Sequence, residues 1–288
     1  MGILQTPRAS TRRVIAIGLA VIAATSVVSA HAAVAAPVRK PVVLIYGDSL
    51  VWESAKFIAK GINGKVWTRH VFAVPTTAPC DWLQRLPGDI AKYHPTAVVL
   101  ATEGNSNSPC MDDVDGVPLA YNSPAYLAKY RSDLSAFFSA AHASTVLFLE
   151  GAPIGRDADW NAAVTSVYGI AESLAPSYSN VAVSDAANRS VSNDGVYAQT
   201  LPCLPTEVKP KKDGCAAGQI DVRTDIGLQV GIHLCPIGIT YPGTHPCATY
   251  ANGKWTNVYS SGEVRYGDAI AAATDAALPQ PARPSSRR

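Results

Sequence analysis

Three side chains that acyl transfer requires stand in three separate stretches of the sequence. They are Ser49 in LIYGDSLVWE (44–53), Asn105 in EGNSNSPCM (103–111) and His233 in GIHLCP (231–236). Moving an acyl group to or from an ester needs a hydroxyl nucleophile, an imidazole to take its proton, and donors for the tetrahedral oxyanion. Each residue also has a plainer use. Ser49 follows an apolar run and precedes a helical pattern, where its hydroxyl would cap the helix. Asn105 between Gly and Ser fits a turn, and a histidine before an apolar-Cys-Pro segment can be structural. Asp48 is expected to bond the backbone of its own turn. Glu103, an acid beside a site of developing negative charge, is expected to point away or to contact substrate.

The elements that must position these residues follow from periodicity. Short apolar or β-branched runs at 41–47, 66–74, 96–102, 144–151 and 180–185 read as strands. Helical spacing at 50–61, 82–92, 124–142, 158–174 and 263–277 places helices between and after them. Alternation of this kind predicts a three-layer α/β/α sandwich with a mostly parallel five-stranded sheet. Functional groups then collect beyond the carboxyl ends of the strands. Ser49 follows the first strand, Thr76 the second and Glu103-Gly104-Asn105 the third, so three loops converge at one edge. From 186 to 262 the sequence turns rich in Gly, Pro, Cys and Asn, and reads as a disulfide-stapled loop region that brings His233 to that edge.

Residues 1–36 read as a signal peptide: Arg8, Arg12 and Arg13, an apolar stretch from Val14 to Ala30, then AHAAVAA with A-x-A cleavage sites. STRRVIA also fits a twin-arginine signal loosely, and an uncleaved anchor is the alternative. Removing the segment takes the formal charge from +2 to −1, because it holds three arginines and no acid. A mature chain of that charge has no electrostatic case for nucleic acid or anionic membranes. Residues 37–278 are expected to form one domain, and 279–288, PQPARPSSRR, a loose tail.

All six cysteines lie beyond the signal segment, an even number in an exported chain, which points to three disulfides. Loop closure between sequence neighbours favours Cys203–Cys215 and Cys235–Cys247, leaving Cys80–Cys110. A zinc site built from His233, Cys235, His245 and Cys247 is the competing use of the C-terminal pair.

Taken in order, GDSL (47–50), PTTAPCDW (75–82), EGNSNSPCM (103–111), GIHLCP (231–236) and SGEVRYGDAI (261–270) resemble the blocks of the SGNH (GDSL) hydrolase family, particularly its exported actinobacterial members. The resemblance implies a flavodoxin-like sheet and a serine esterase that works through an acyl-Ser49 intermediate without metal or organic cofactor. It makes Ser49 the nucleophile and an oxyanion donor, Asn105 the side-chain donor and His233 the general base. The family's second block supplies a Gly N–H, and the matching position is Thr76, which serves if the turn does not require φ > 0.

Where the family pattern puts Asp, three residues before the histidine, this chain has Val230. Three outcomes follow: Asp225 loops back to the imidazole, a backbone carbonyl holds it in a Ser-His dyad, or catalysis is impaired. The substrate class implied is a small-molecule ester or an acylated cell-envelope glycan or lipid, met by a secreted or envelope-bound monomer. An O-acyltransferase acting on envelope glycans and a binding pseudoenzyme are the alternatives.

Overall fold

The computed structural model describes residues 40–62, 64, 67–102, 104–141, 146–151, 154–208, 214–223, 231–235 and 247–278. These all fall within the unit Arg39–Arg288. Its central sheet comprises β1 (Val42–Gly47), β2 (Thr68–Ala73), β3 (Ala97–Thr102), β4 (Val146–Gly151) and β5 (Val181–Ser184), ordered β2-β1-β3-β4-β5 and parallel throughout. The expected α/β/α class is the observed one.

Side chains on a strand alternate between faces, and β1 and β3 show how each face is filled. Leu44, Tyr46, Val98 and Leu100 pack with Trp82, Leu86, Tyr126, Tyr130 and Phe137. These come from α2 (Pro79–Leu83), α3 (Leu86–Tyr93) and α4 (Pro124–Ala140), and α5 (Ala158–Leu174) adds Ala163 and Val167 to the same layer. On the opposite face Val43, Ile45, Val99 and Ala101 meet Leu50, Val51 and Ile58 of α1 (Ser49–Gly61) and Ala187 of α6 (Ala186–Ser190). The C-terminal helix joins that layer through Tyr266, Ile270 and Ala271. A strand buried on both faces has no polar alternation, which is why β1 and β3 read as continuous apolar runs.

The helix expected over 82–92 is two helices. Pro87 sits in the first turn of α3, where its missing N–H costs nothing, but it cannot continue a helix from upstream. The region 186–262 contains small pieces: a hairpin of β6 (Ser192–Asn193) with β7 (Val196–Tyr197), β8 (Thr200–Pro202), the short α7 (Pro205–Val208) and β9 (Gln219–Asp221) paired with β8. It closes with the hairpin of β10 (Ala248–Ala251) and β11 (Lys254–Asn257), before α8 (Ser261–Ala277). Disulfides Cys80–Cys110, Cys203–Cys215 and Cys235–Cys247 staple the chain. The first ties α2 to the turn after β3, so the loops carrying Thr76 and Asn105 are covalently linked near their ends.

From β1 the chain crosses to β2 on one side and resumes at β3 on the other, so the crevice of this sheet opens between the carboxyl ends of β1 and β3. Ser49 and Asn105 follow those two ends. Among the described residues no helix is long and apolar enough to cross a membrane.

Candidate active site

Ser49 is the first residue of α1 and not its cap. Asp48 holds the cap position, its Oδ1 accepting from the Leu50 N–H at 3.1 Å. That answers the question the sequence raised: the carboxylate beside Ser49, and not the Ser49 hydroxyl, does the capping. Asp48 Oδ2 also accepts from Asn105 Nδ2 at 3.3 Å, and the Thr77 carbonyl accepts from the same nitrogen at 3.1 Å. The amide of Asn105 is thereby aimed toward the end of β1. Two tyrosines of α4 fix its backbone from below, Tyr126 donating to the Gly104 carbonyl at 2.6 Å and Tyr130 to the Asn105 carbonyl at 2.8 Å. Burial pushes both phenols well above their ordinary range, so they remain donors.

Thr76 adopts φ 67°, the left-handed region that glycine tolerates and a β-branched residue resists. The turn therefore has the form the family's glycine would give, at a cost of about 1–3 kcal/mol. The strain is held by Thr77, whose hydroxyl donates to the Val74 carbonyl at 2.8 Å and lies 3.3 Å from the Gly47 carbonyl. Replacing Thr76 with glycine is expected to stabilise the fold by about 1 kcal/mol, net of the greater chain entropy of glycine. Denaturant midpoints of the two proteins test this, and a lower midpoint for Thr76→Gly would contradict it.

His233 is buried, and its Nδ1 lies 2.5 Å from Oε1 of Glu53, which is fully buried. Oε2 of the same carboxylate accepts the Leu234 N–H at 2.9 Å. A carboxylate is acceptor-only, so Nδ1 carries the proton and Nε2 is left as the basic nitrogen. Glu53 is four residues beyond Ser49, about 6 Å along α1 and on the same face. One helix thus carries both Ser49 and the acid that holds the imidazole.

The sequence reading missed Glu53 because the family pattern directed the search to residues just before His233. Its signal was nevertheless present, since it closes the stretch LIYGDSLVWE with i, i+4 spacing from Ser49. Asp225, Val230 and Glu103 lie outside the described residues. The bond to Nδ1 for which Asp225 was one of three candidates is made by Glu53.

The segment after His233 is clamped. Leu234 gives its N–H to α1 through Glu53, and its carbonyl accepts from the Ser260 hydroxyl that caps α8. Cys235 is tied to Cys247, which removes two of the four ligands the zinc alternative needs; His245 lies outside the described residues. Gly262 allows this approach: a Cβ there would fall 1.9 Å from the Val222 carbonyl oxygen and 2.8 Å from that of Leu234. Gly262→Ala is therefore expected to cost about 2 kcal/mol and to displace the segment that carries His233. Unchanged thermal stability would refute that packing.

The hydroxyl, imidazole, carboxylate and aimed amide together suit proton-coupled attack on an acyl carbon. Among known proteins, no curated sequence matches the chain. Solved structures similar to it include the C-terminal catalytic domain of peptidoglycan O-acetyltransferase A from Streptococcus pneumoniae, at 13% identity and TM-score 0.47, covering 82% of this chain and 94% of that one. A catalytic mutant of an acetylxylan esterase from Geobacillus stearothermophilus is similar at 11% identity and TM-score 0.40, covering 55% of this chain and 86% of that one. A putative lipolytic protein of the G-D-S-L family from Desulfitobacterium hafniense is similar at 16% identity and TM-score 0.39, covering 55% and 84% respectively. Residues 42–212, more than half of the chain, match the family described as "Protein of unknown function (DUF459)", and the chain belongs to that family.

Proposed function

We propose that this chain is an exported serine hydrolase of SGNH type that cleaves carboxylic esters through an acyl-Ser49 intermediate. The observation that carries the reading is the two-point grip of Glu53 on His233 Nδ1 and the Leu234 N–H, made from the helix that begins at Ser49. Ser49 Oγ attacks the ester carbonyl carbon while His233 Nε2 takes the hydroxyl proton. The oxyanion is received by the N–H groups of Ser49 and Thr76, and by Asn105 Nδ2 as it gives up its 3.3 Å bond to Asp48 Oδ2. Collapse of the tetrahedral intermediate breaks the bond to the alkoxy oxygen, which leaves as an alcohol carrying the proton from His233. Water, deprotonated by the same nitrogen, then releases the acid and regenerates Ser49.

Glu53 stabilises the imidazolium in both halves and stays a carboxylate throughout. It also supplies the acid that Val230 cannot, so the valine no longer argues for a pseudoenzyme. Three disulfides suit an oxidising compartment, in keeping with export through residues 1–36. A sugar hydroxyl arriving in place of water would turn the second half-reaction into acyl transfer without altering the first.

Hydrolysis of a short-chain p-nitrophenyl ester by the mature protein tests the reading. Turnover is expected to fall to the uncatalysed background in Ser49→Ala. Equal rates for the two proteins would refute it.

A further inference from the structure

Behind the Glu53–His233 pair lies a second buried carboxylate that the mechanism above does not use. Glu263, in the first turn of α8, is fully buried, and apart from the Lys56 ammonium its oxygens meet no hydrogen-bond donor among the described residues. Among the described residues its charged neighbour by contact is Lys56, whose half-exposed side chain brings Nζ within 3.2 Å of Oε2. The carboxylate also lies against the Cys235–Cys247 disulfide, with its oxygen within 4.8 Å of the sulfurs. A buried carboxylate is expensive to keep, so its placement against Cys235, two residues beyond His233, calls for a reason.

Lys56 and Glu53 are three residues apart on α1, on one helix face. Burial is the main influence on Glu263 and raises its carboxyl to about 7; Lys56 opposes the shift and the nearby charge of Glu53 adds to it. Several other charged groups around α8 have partners of their own. Arg265 on α8 bonds Ser261 and pairs with Glu207. On α6, which packs against α8, Arg189 and Asp185 pair with each other at 2.6 Å. From the segment after β9 the contact on α8 is the Val222 backbone. Among the described residues the charged groups placed beside Glu263 are Lys56, Glu53 and, through Glu53, His233.

We propose that Glu263 is a positioning residue for the Ser49 chemistry: it holds the Lys56 ammonium away from Glu53, so that the charge of Glu53 acts on His233 alone. Were Lys56 released, its ammonium would turn toward the next carboxylate on its own helix face and weaken the stabilisation of the imidazolium. The inference rests on the Glu53–His233 reading of the site, and adds a charge-setting layer to it.

The test is the titration of the His233 ring by proton NMR, its signal assigned by loss in His233→Gln, in four forms of the mature protein. Glu263→Gln copies the neutral carboxyl in shape and is expected to lower the His233 pKa by about half a unit or more, the effect of one uncompensated charge nearby. Lys56→Met alone is expected to raise it, and the double variant to return to the wild-type value. A structural role would not produce opposite shifts that cancel. An unmoved titration in Glu263→Gln, or a shift that Lys56→Met leaves unrepaired, overturns the proposal. Because the readout needs no turnover, a wild-type protein that hydrolyses no ester would sink the proposed function while leaving this result to stand or fall separately.

Discussion

Substituting Glu53 by glutamine is expected to lower kcat for ester hydrolysis by about 10³ to 10⁴, with KM nearly unchanged. The size follows from the serine protease triad, where the corresponding acid-to-amide change costs about 10⁴ by favouring the wrong tautomer. Glutamine keeps the volume of the side chain, and its carbonyl oxygen can still accept one of the two protons now bound, from His233 Nδ1 or from the Leu234 N–H. The other proton is left facing an NH₂ group. If the amide nitrogen faces Nδ1, the imidazole must turn that nitrogen into an acceptor and place its proton on Nε2, where it cannot receive one from Ser49. Asp225→Asn is expected to remain within a few-fold of wild type. Steady-state kinetics on the three proteins decide the matter. The assignment fails if Asp225→Asn is the crippled variant and Glu53→Gln is not.

A second large effect concerns stability and pH. The Glu263 carboxyl is raised by burial from 4.5 to about 7 in the folded protein, so the folded chain holds that proton more tightly than the unfolded one. The contribution is fully present below the unfolded value and is lost as pH rises through the folded value. Between about pH 4.5 and 7 this one group therefore removes on the order of 3 kcal/mol of stability, at 1.36 kcal/mol for each pH unit of difference. Glu263→Gln has no such proton to lose. Its unfolding free energy is expected to match that of wild type near pH 4.5 and to exceed it by a few kcal/mol at pH 8. Urea unfolding of both proteins at several pH values measures the difference directly, and parallel pH profiles would contradict it.

Much of the fold was legible because the sheet is buried on both sides. VVLIYG and AVVLAT have no polar residue before their carboxyl ends, and only a central parallel strand uses such a run. The pairing of cysteines was legible for a different reason: two pairs are 12 residues apart in turn-rich segments, where loop closure is easy. The split of one expected helix into α2 and α3 turned on Pro87, whose effect a periodicity count does not weigh. The short hairpins between β6 and β11 are two to four residues long, below the length at which alternation can be recognised.

Within the site, Ser49, Asn105 and His233 were legible from their motif blocks, and Thr76 was legible as a question about φ that the observed 67° settles. The acid was not. Glu53 and His233 are 180 residues apart, and nothing in local spacing can report a contact across that distance. A reading that asked which carboxylates share the helix face of Ser49 would have found Glu53, because i and i+4 are neighbours on any helix. The second carboxylate, Glu263, was hidden in the same way: its neighbours Lys56 and Glu53 come from the opposite end of the domain's sequence.

The most direct test of an activated Ser49 is intact-mass analysis of the mature protein after exposure to a fluorophosphonate, beside Ser49→Ala. The expected result is one adduct per molecule in the wild type, located at Ser49, and none in the variant. An unlabelled wild-type protein, or equal labelling of Ser49→Ala, would mean that Ser49 is not the nucleophile.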